Sequence, residues 1–187
     1  MRKLIFAINT SLDGCVDHMK QVVADEGPEF HEYFVQLMRE ADLQVFGRKT
    51  YELMVPYWPD VAKDESSSQD DREFALEFTA LDKVVFSRTL ESVEDQNTRV
   101  VSTDLRNEII KLKEQSGKNI LVGGVDIPSQ LLELGLIDEI RLIIGPSVVG
   151  EGRRLFDGVN LPESLQLKLV DSKFFESGRV ALRYIKQ

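Results

Sequence analysis

The stretch that decides the fold runs from Asn119 to Gly152 and reads NILVGGVDIPSQLLELGLIDEIRLIIGPSVVGEG. An apolar run ends in the glycine pair 123–124, an amphipathic segment predicts a helix over 126–134, and a second apolar run predicts a strand over 137–144. A strand, a glycine turn, a helix and a strand in this order direct backbone N–H groups and a helix N-terminus at a bound anion or cofactor. We therefore expect the ligand site here.

Strand and helix patterns also alternate in the chain before this stretch. Short apolar runs predict strands at 3–9, 45–46, 83–87 and 99–102. Helices are predicted to begin at Pro28, after Ser68 and after Thr103, where capping or first-turn residues precede apolar side chains at helical spacing. The polar segment 60–69 has little to bury, and we expect it to be a surface loop.

The last part of the chain changes to a period of two. Residues 165–186 contain two alternating runs joined across Glu176, Ser177 and Gly178, which is typical of a β-hairpin. A chain that begins with alternating strands and helices and ends antiparallel favours an α/β fold with a mixed sheet.

Length and composition indicate one soluble domain over residues 1–187. Hydrophobic residues make up 42% and charged residues 29%, both ordinary for a globular protein. No apolar run approaches the roughly 20 residues that span a bilayer, and the first residues lead directly into a strand. We expect no membrane contact, no signal peptide and a cytoplasmic location, which also suits a chain whose single cysteine, Cys15, cannot form an internal disulfide.

The formal net charge of −9 argues against nucleic-acid binding, which depends on many basic contacts to phosphate. With two histidines and one cysteine in the chain, we expect no metal site. An anionic ligand would need local positive charge. Such charge is present in two short clusters.

Each cluster combines basic side chains with a hydroxyl directly after a predicted strand. The first is Gly47-Arg48-Lys49-Thr50 and the second is Ser87-Arg88-Thr89. Both suit a phosphate group, although each alone is also compatible with a solvated basic turn. The first is not a P-loop, because it lacks a Gly-Lys pair with a glycine five positions before it.

The polar turn Thr10-Ser11-Leu12-Asp13-Gly14 follows the first predicted strand. It is either a ligand-facing loop or a plain connector. His31 lies on the helix that begins at Pro28, and a structural or solvated role is favoured for it over catalysis.

Four of these segments together resemble one protein family. Residues 10–14 (TSLDG), 47–52 (GRKTYE), 85–89 (VFSRT) and 122–124 (VGG) occur in the order and with the separations found in the dihydrofolate-reductase-like superfamily. The chain is most similar to the branch related to the C-terminal reductase domain of the bacterial bifunctional riboflavin deaminase-reductase. The run from Leu132 to Leu155 is also similar to that branch, so the resemblance covers nearly the whole chain.

The resemblance implies a three-layer α/β/α domain with a mostly parallel mixed central sheet, a bound NADPH and a homodimer. The residues it places near NADPH are Thr10, Ser11, Gly14, Gly47, Arg48, Lys49, Thr50, Ser87, Arg88, Gly123, Gly124, Val125, Asp126 and Ile127. Within this set Ser87 and Arg88 would hold the adenosine 2′-phosphate, and Gly123-Gly124 would face the pyrophosphate and nicotinamide, often through a cis peptide.

Asp13, Tyr51 and Trp58 are the candidates for the substrate side, although packing explains the two aromatic residues equally well. Riboflavin reductases commonly carry an acidic residue before the paired glycines, and this chain has Val122 there. The substrate of those enzymes therefore does not follow from the resemblance.

The leading hypothesis is an NADPH-dependent reductase that transfers a hydride to a small heterocyclic, pteridine- or pyrimidine-type molecule. A catalytic triad is not required, because the cofactor carries the chemistry. One alternative is a non-catalytic sensor that binds NADPH or another nucleotide on the same fold. Another is a phosphate-binding enzyme of a different kind, which Arg48, Lys49 and Arg88 would also suit.

Overall fold

The computed structural model describes residues 1–17, 20, 27–93 and 95–187. The strands are β1 (Leu4–Ser11), β2 (Ala41–Gly47), β3 (Asp82–Phe86), β4 (Thr98–Val101), β5 (Asn119–Val122), β6 (Glu139–Gly145), β7 (Leu167–Phe174) and β8 (Val180–Lys186). The helices are α1 (Pro28–Arg39), α2 (Arg48–Met54), α3 (Trp58–Lys63), α4 (Gln69–Ala80), α5 (Leu105–Glu114) and α6 (Asp126–Glu133). None of these helices is long and apolar enough to cross a membrane.

The described strands form one sheet in the order β4-β3-β2-β5-β1-β6-β8-β7. The six strands from β4 to β6 in this order are mutually parallel. β8 then runs antiparallel to β6, and β7 runs antiparallel to β8. The predicted mixed sheet and C-terminal hairpin are confirmed.

The parallel strands have continuous apolar sequences because both faces of the sheet are covered by helices. In β1, Leu4 and Phe6 pack with Ile109 of α5 and Leu131 of α6 on one face. Ile5 points to the opposite face, where the core includes residues of α1, α2 and α4. This alternation produces three layers, and the α/β/α architecture is confirmed.

Two local predictions are wrong. Residues 60–63 belong to helix α3 rather than to a surface loop, because the preceding Trp58 packs on Phe74 with ring centroids 4.3 Å apart. The N-cap of α5 is Asp104 rather than Thr103, and its carboxylate accepts hydrogen bonds from the first-turn N–H groups. The predicted cap of α4 is correct, since the Ser68 hydroxyl accepts from the Asp71 N–H at 3.1 Å.

A buried charged cluster ties β6 to β8 at the start of β6. The Glu139 side chain is 1% exposed and accepts hydrogen bonds from Arg141 at 2.7 Å and from Arg183 at 2.8 Å. Burial alone would raise the pKa of Glu139, but the hydrogen bonds from Arg183 and Arg141 outweigh it and lower that pKa. This cluster is a structural ion pair network outside the cavity described next.

Candidate functional site

The site forms where parallel strands end at the same edge of the sheet. In the registers, Gly47 of β2 lies beside Phe86 of β3, and Val122 of β5 lies beside both Val45 of β2 and Phe6 of β1. The segments that follow β2, β3 and β5 therefore leave the sheet side by side. A cavity of about 940 Å³ opens between them and helices α1 and α4.

We call one wall of this cavity the loop side. It consists of the segments after three strands, namely residues 47–50, 87–89 and 123–127. The structure thus brings together most of the residues expected near the cofactor: Gly47, Arg48, Lys49, Thr50, Ser87, Arg88, Gly123, Gly124, Val125, Asp126 and Ile127.

The glycine turn after β5 is packed too closely for any side chain. A Cβ on Gly123 would lie 2.9 Å from Cε1 of Phe46, and a Cβ on Gly124 would overlap the Thr50 hydroxyl. Gly124 also has φ +81°, a conformation that other residues adopt only with strain. The peptide bond between the two glycines is trans rather than the cis form that the resemblance implies.

Helix α6 begins directly after this turn. Its N-cap residue, Val125, provides no side-chain hydrogen bond to the first-turn N–H groups, and residues 124–127 line the cavity. Asp126 in the first turn is paired with Arg153, whose Nη1 lies 2.6 Å from its carboxylate. The uncapped N-terminus carries a partial positive charge that favours an anion.

The cations on the loop side differ in whether they have partners. Arg48 is paired with Glu52 at 3.0 Å, just as Arg153 is paired with Asp126. Lys49 and Arg88 are exposed, and within the described residues no hydrogen bond or ion pair engages the side chain of either. Two positive charges on this wall are therefore available to a ligand.

The opposite wall, which we call the aromatic side, is formed by α1, α3 and α4 over the sheet. Its apolar side chains are Phe34, Leu37, Met38, Trp58, Phe74 and Phe78. The Phe74 and Phe78 rings are nearly parallel, with centroids 6.2 Å apart. Trp58, the single tryptophan of the chain, belongs to this wall, and its substrate-side role stays a prediction.

This wall also holds two polar residues, of which sequence reasoning considered His31 but missed Gln44. Gln44 of β2 is 7% exposed, and its Oε1 has no hydrogen-bond partner within the described residues. His31 of α1 lines the cavity, with Nε2 3.3 Å from the Asp71 carboxylate. A glutamine inside an otherwise apolar strand run was the available signal for Gln44.

The turn 10–14 does not present its side chains to the cavity. Thr10 Oγ1 donates to backbone carbonyls of its own loop, and the Ser11 hydroxyl accepts from the Cys15 N–H at 2.9 Å. Gly14 has φ +80° and also lies outside the lining residues. The role of Thr10, Ser11 and Gly14 near the cofactor stays a prediction.

Asp13 joins two loops instead of facing the cavity. Its carboxylate accepts hydrogen bonds from Ser11 at 2.6 Å and from the N–H groups of Val149 and Gly150, and it is paired with Arg154 at 3.2 Å. The Ser11 hydrogen bond, together with the two backbone hydrogen bonds, holds the pKa of Asp13 well below its usual range. Tyr51 is also outside the lining residues. Its side chain is buried and packs in the core with residues of α1 and α4.

No group of three or more His, Cys, Asp and Glu side chains within the described residues could hold a metal ion. The described lining of the cavity offers cationic side chains to an anion and apolar side chains to a flat ring.

The strand order, the terminal hairpin and the cavity at the carboxyl edge define an α/β protein of the dihydrofolate-reductase-like class. The chain belongs to the RibD C-terminal domain family, whose model matches residues 2–181. The resemblance stated from the sequence is therefore correct. Membership of this family supports a reductase-type role for the protein.

Two curated relatives come from Bacillus subtilis strain 168, and both are proteins of uncharacterized function. YyaP is 31% identical over 188 residues, covering 98% of this chain and 94% of its own. YwjB is 26% identical over 196 residues, covering 99% of this chain and 98% of its own.

Solved structures share the fold at lower identity. A candidate riboflavin biosynthesis protein from Shewanella sp. PV-4 matches with TM-score 0.73 and 22% identity, over 99% of both chains. The diaminohydroxyphosphoribosylaminopyrimidine deaminase/5-amino-6-(5-phosphoribosylamino)uracil reductase of Thermotoga maritima matches with TM-score 0.68 and 16% identity. The match covers 100% of this chain and 57% of that one. Dihydrofolate reductase of Enterococcus faecalis, complexed with NADP(H) and RAB-propyl, matches with TM-score 0.65 and 12% identity, over 99% of this chain and 96% of that one.

A Gly124→Ala substitution tests the close packing of the glycine turn. We expect it to lower the free energy of unfolding by about 2–5 kcal/mol, because backbone strain adds to the overlap with Thr50. Gly158→Ala is the matched control, since Gly158 has φ +77° but no heavy atom within 4 Å of the position that a Cβ would take; it should cost only about 1–2 kcal/mol. Equal losses in urea denaturation would contradict the role given to close packing.

Asp13→Asn tests the junction between the two loops. Because the folded-state pKa of Asp13 is lowered, its contribution to stability is fully present above the unfolded pKa of about 4 and is lost as pH falls further. The variant should melt below the wild type at pH 7, and the gap should narrow below about pH 4. Melting curves between about pH 3 and 7 measure this, with the exposed Glu163→Gln as control. A gap that stays constant with pH would refute the assignment.

Proposed function

We propose that the protein is an NADPH-dependent reductase that transfers a hydride to a small heterocyclic substrate of the pteridine or pyrimidine type. The observation that carries this proposal is a pair of cations, Lys49 and Arg88, that have no partner among the described residues and lie on the loop side of a cavity whose other wall is aromatic. The unpaired cations suit a phosphorylated cofactor, and the aromatic wall suits a flat ring.

The residues of the loop side fit NADPH in three respects. The backbone N–H groups of Gly124 and of the uncapped first turn of α6 suit a pyrophosphate, whereas the Gly123 N–H already donates to the Val45 carbonyl at 3.0 Å. Arg88, with Ser87 beside it, suits the adenosine 2′-phosphate, which a guanidinium can bind through two hydrogen bonds. Lys49 supplies a second positive charge.

When bound, NADPH supplies the hydride through its nicotinamide ring. The protein then has to orient the substrate and exclude water. Phe34, Trp58 and Phe74 provide apolar surface for a planar ring, and Arg48 and Arg153 already have acidic partners, so neither adds an unpaired charge.

Two of the structural neighbours support the proposal. The dihydrofolate reductase of Enterococcus faecalis was solved with NADP(H), and the Thermotoga maritima protein is a uracil-type reductase by name. The family match supports a reductase-type role independently of these structures.

Thermal-shift titrations with NADPH, NADH and ATP test the cofactor. We expect NADPH to raise the melting temperature most, since only NADPH carries the extra 2′-phosphate of a dinucleotide. No stabilisation by NADPH would contradict the proposal, and a preference for ATP would favour a different phosphate-binding enzyme. Oxidation of NADPH with a panel of pteridines and pyrimidines then tests turnover, and binding without turnover across the panel would favour the sensor.

Arg88→Ala tests whether Arg88 binds the 2′-phosphate of NADPH. We expect the Kd for NADPH to rise about 10- to 100-fold while the Kd for NADH changes little, because one charge-assisted contact is lost. Fluorescence titration measures both constants. Arg99→Ala is the control and should change neither Kd, because Arg99 is an exposed residue of β4 that is paired with Glu108 of α5. Equal losses for both dinucleotides would mean that Arg88 does not contact this phosphate.

A further inference from the structure

Gln44 is a polar side chain at a buried strand position, where an apolar side chain is expected. It lies in the middle of β2, beside Leu121 of β5 in the register, on the face of the sheet covered by α1 and α4. Its neighbours on the same strand, Val45 and Phe46, are buried and apolar. An amide at this place loses its hydration when the protein folds.

The Oε1 atom of Gln44 receives no hydrogen bond in exchange within the described residues. A buried acceptor without a donor lowers stability, whereas an apolar side chain of the same shape would not. Gln44 lines the cavity on its aromatic side, and a half-turn of its amide group would bring Oε1, which is buried in the ligand-free protein, to the cavity surface. A donor entering the cavity would complete this hydrogen bond.

The surroundings define what kind of donor fits. The neighbouring lining side chains Leu37, Met38 and Phe74 are apolar, and the exposed cations Lys49 and Arg88 belong to the loop side. His31 also lies on the aromatic side, but its Nε2 is already paired with the Asp71 carboxylate at 3.3 Å, so a phosphate or carboxylate would be desolvated there without an unpaired counter-charge. A neutral planar ring with an N–H group would bury its faces and satisfy the acceptor.

We propose that Gln44 is a specificity-determining residue whose Oε1 accepts a hydrogen bond from an N–H of a neutral, planar heterocyclic substrate. This inference rests on the proposed function, because it takes the aromatic side as the place of the reducible ring. It narrows the substrate class to rings whose buried part is uncharged and carries a hydrogen-bond donor. Analogues without that N–H are discriminated against, since they leave the acceptor unpaired.

Two neutral probes test the contact directly. Quinazolin-4(3H)-one carries a ring N–H, and 3-methylquinazolin-4-one has the same ring without it. Trp58 is the single tryptophan and lines the aromatic side, so its fluorescence reports occupancy. The wild type should bind the N–H compound about 10-fold more tightly than the methylated one, the contribution expected of one neutral hydrogen bond.

Gln44→Met removes the acceptor and keeps an unbranched side chain, and Gln44→Leu is a second variant should the first fold poorly. In either variant the two probes should bind alike, because the acceptor that distinguishes them is gone. The midpoint of urea unfolding should be unchanged or higher, since no unpaired acceptor remains. The exposed Gln130→Met is the control and should keep the wild-type preference.

Several outcomes would overturn the proposal. They are a lack of preference in the wild type, a failure of both probes to change Trp58 fluorescence, and a preference that survives in the Gln44 variants. The last would show that the methyl group is excluded by shape alone. NADPH titration of the wild type and the Gln44 variants separates this inference from the proposed function. If the wild type does not bind NADPH, the proposed function is refuted, while the preference between the two probes can still be measured.

Discussion

The structure depends on the parallel pairing of β3, β2, β5 and β1. Parallel strands end at one edge of a sheet, so segments far apart in sequence, after Gly47, Phe86 and Val122, leave that edge together. The glycine turn then approaches Phe46 and Thr50 more closely than any side chain would allow. The cavity is a consequence of this pairing and this close approach.

The two walls of the cavity divide the recognition of a ligand by chemistry. Although the protein has a net charge of −9, the exposed cations Lys49 and Arg88 at this edge of the sheet give an anion a place to bind. The aromatic wall contains His31, whose Nε2 is already paired with Asp71, and an amide oxygen that none of the described residues satisfies. A molecule with a charged part and a flat neutral part matches this division, and a dinucleotide beside a heterocyclic substrate has that character.

The sequence predicted the sheet well because its strands are buried on both faces and therefore form unmistakable apolar runs. It also predicted the residues of the loop side, because each of these segments directly follows a recognisable strand and the segments together resemble one family. The short helix α3 was missed because it depends on the packing of Trp58 against Phe74, which are distant in sequence. The cap at Asp104 was misplaced by one residue, a boundary that adjacent capping residues leave open.

The substrate side was harder to predict for the same physical reason. Asp13 joins two loops because its carboxylate accepts hydrogen bonds from the backbone N–H groups of residues 149–150. These residues are far from Asp13 in sequence, so no local pattern predicts the contact. Tyr51 and Trp58 look alike in sequence, yet the first is enclosed in the core and the second borders the cavity. Gln44 was overlooked because the predicted strand began one residue after it, at Val45, whereas the observed strand begins at Ala41.

The most direct test of the central claim is a crystal structure of the protein with NADPH. We predict that the adenosine 2′-phosphate lies within hydrogen-bonding distance of Arg88, that the pyrophosphate lies at the Gly123-Gly124 turn and the start of α6, and that the aromatic side stays open to a second ring. A structure in which the dinucleotide binds elsewhere, with Arg88 and Lys49 left in solvent, would contradict the claim.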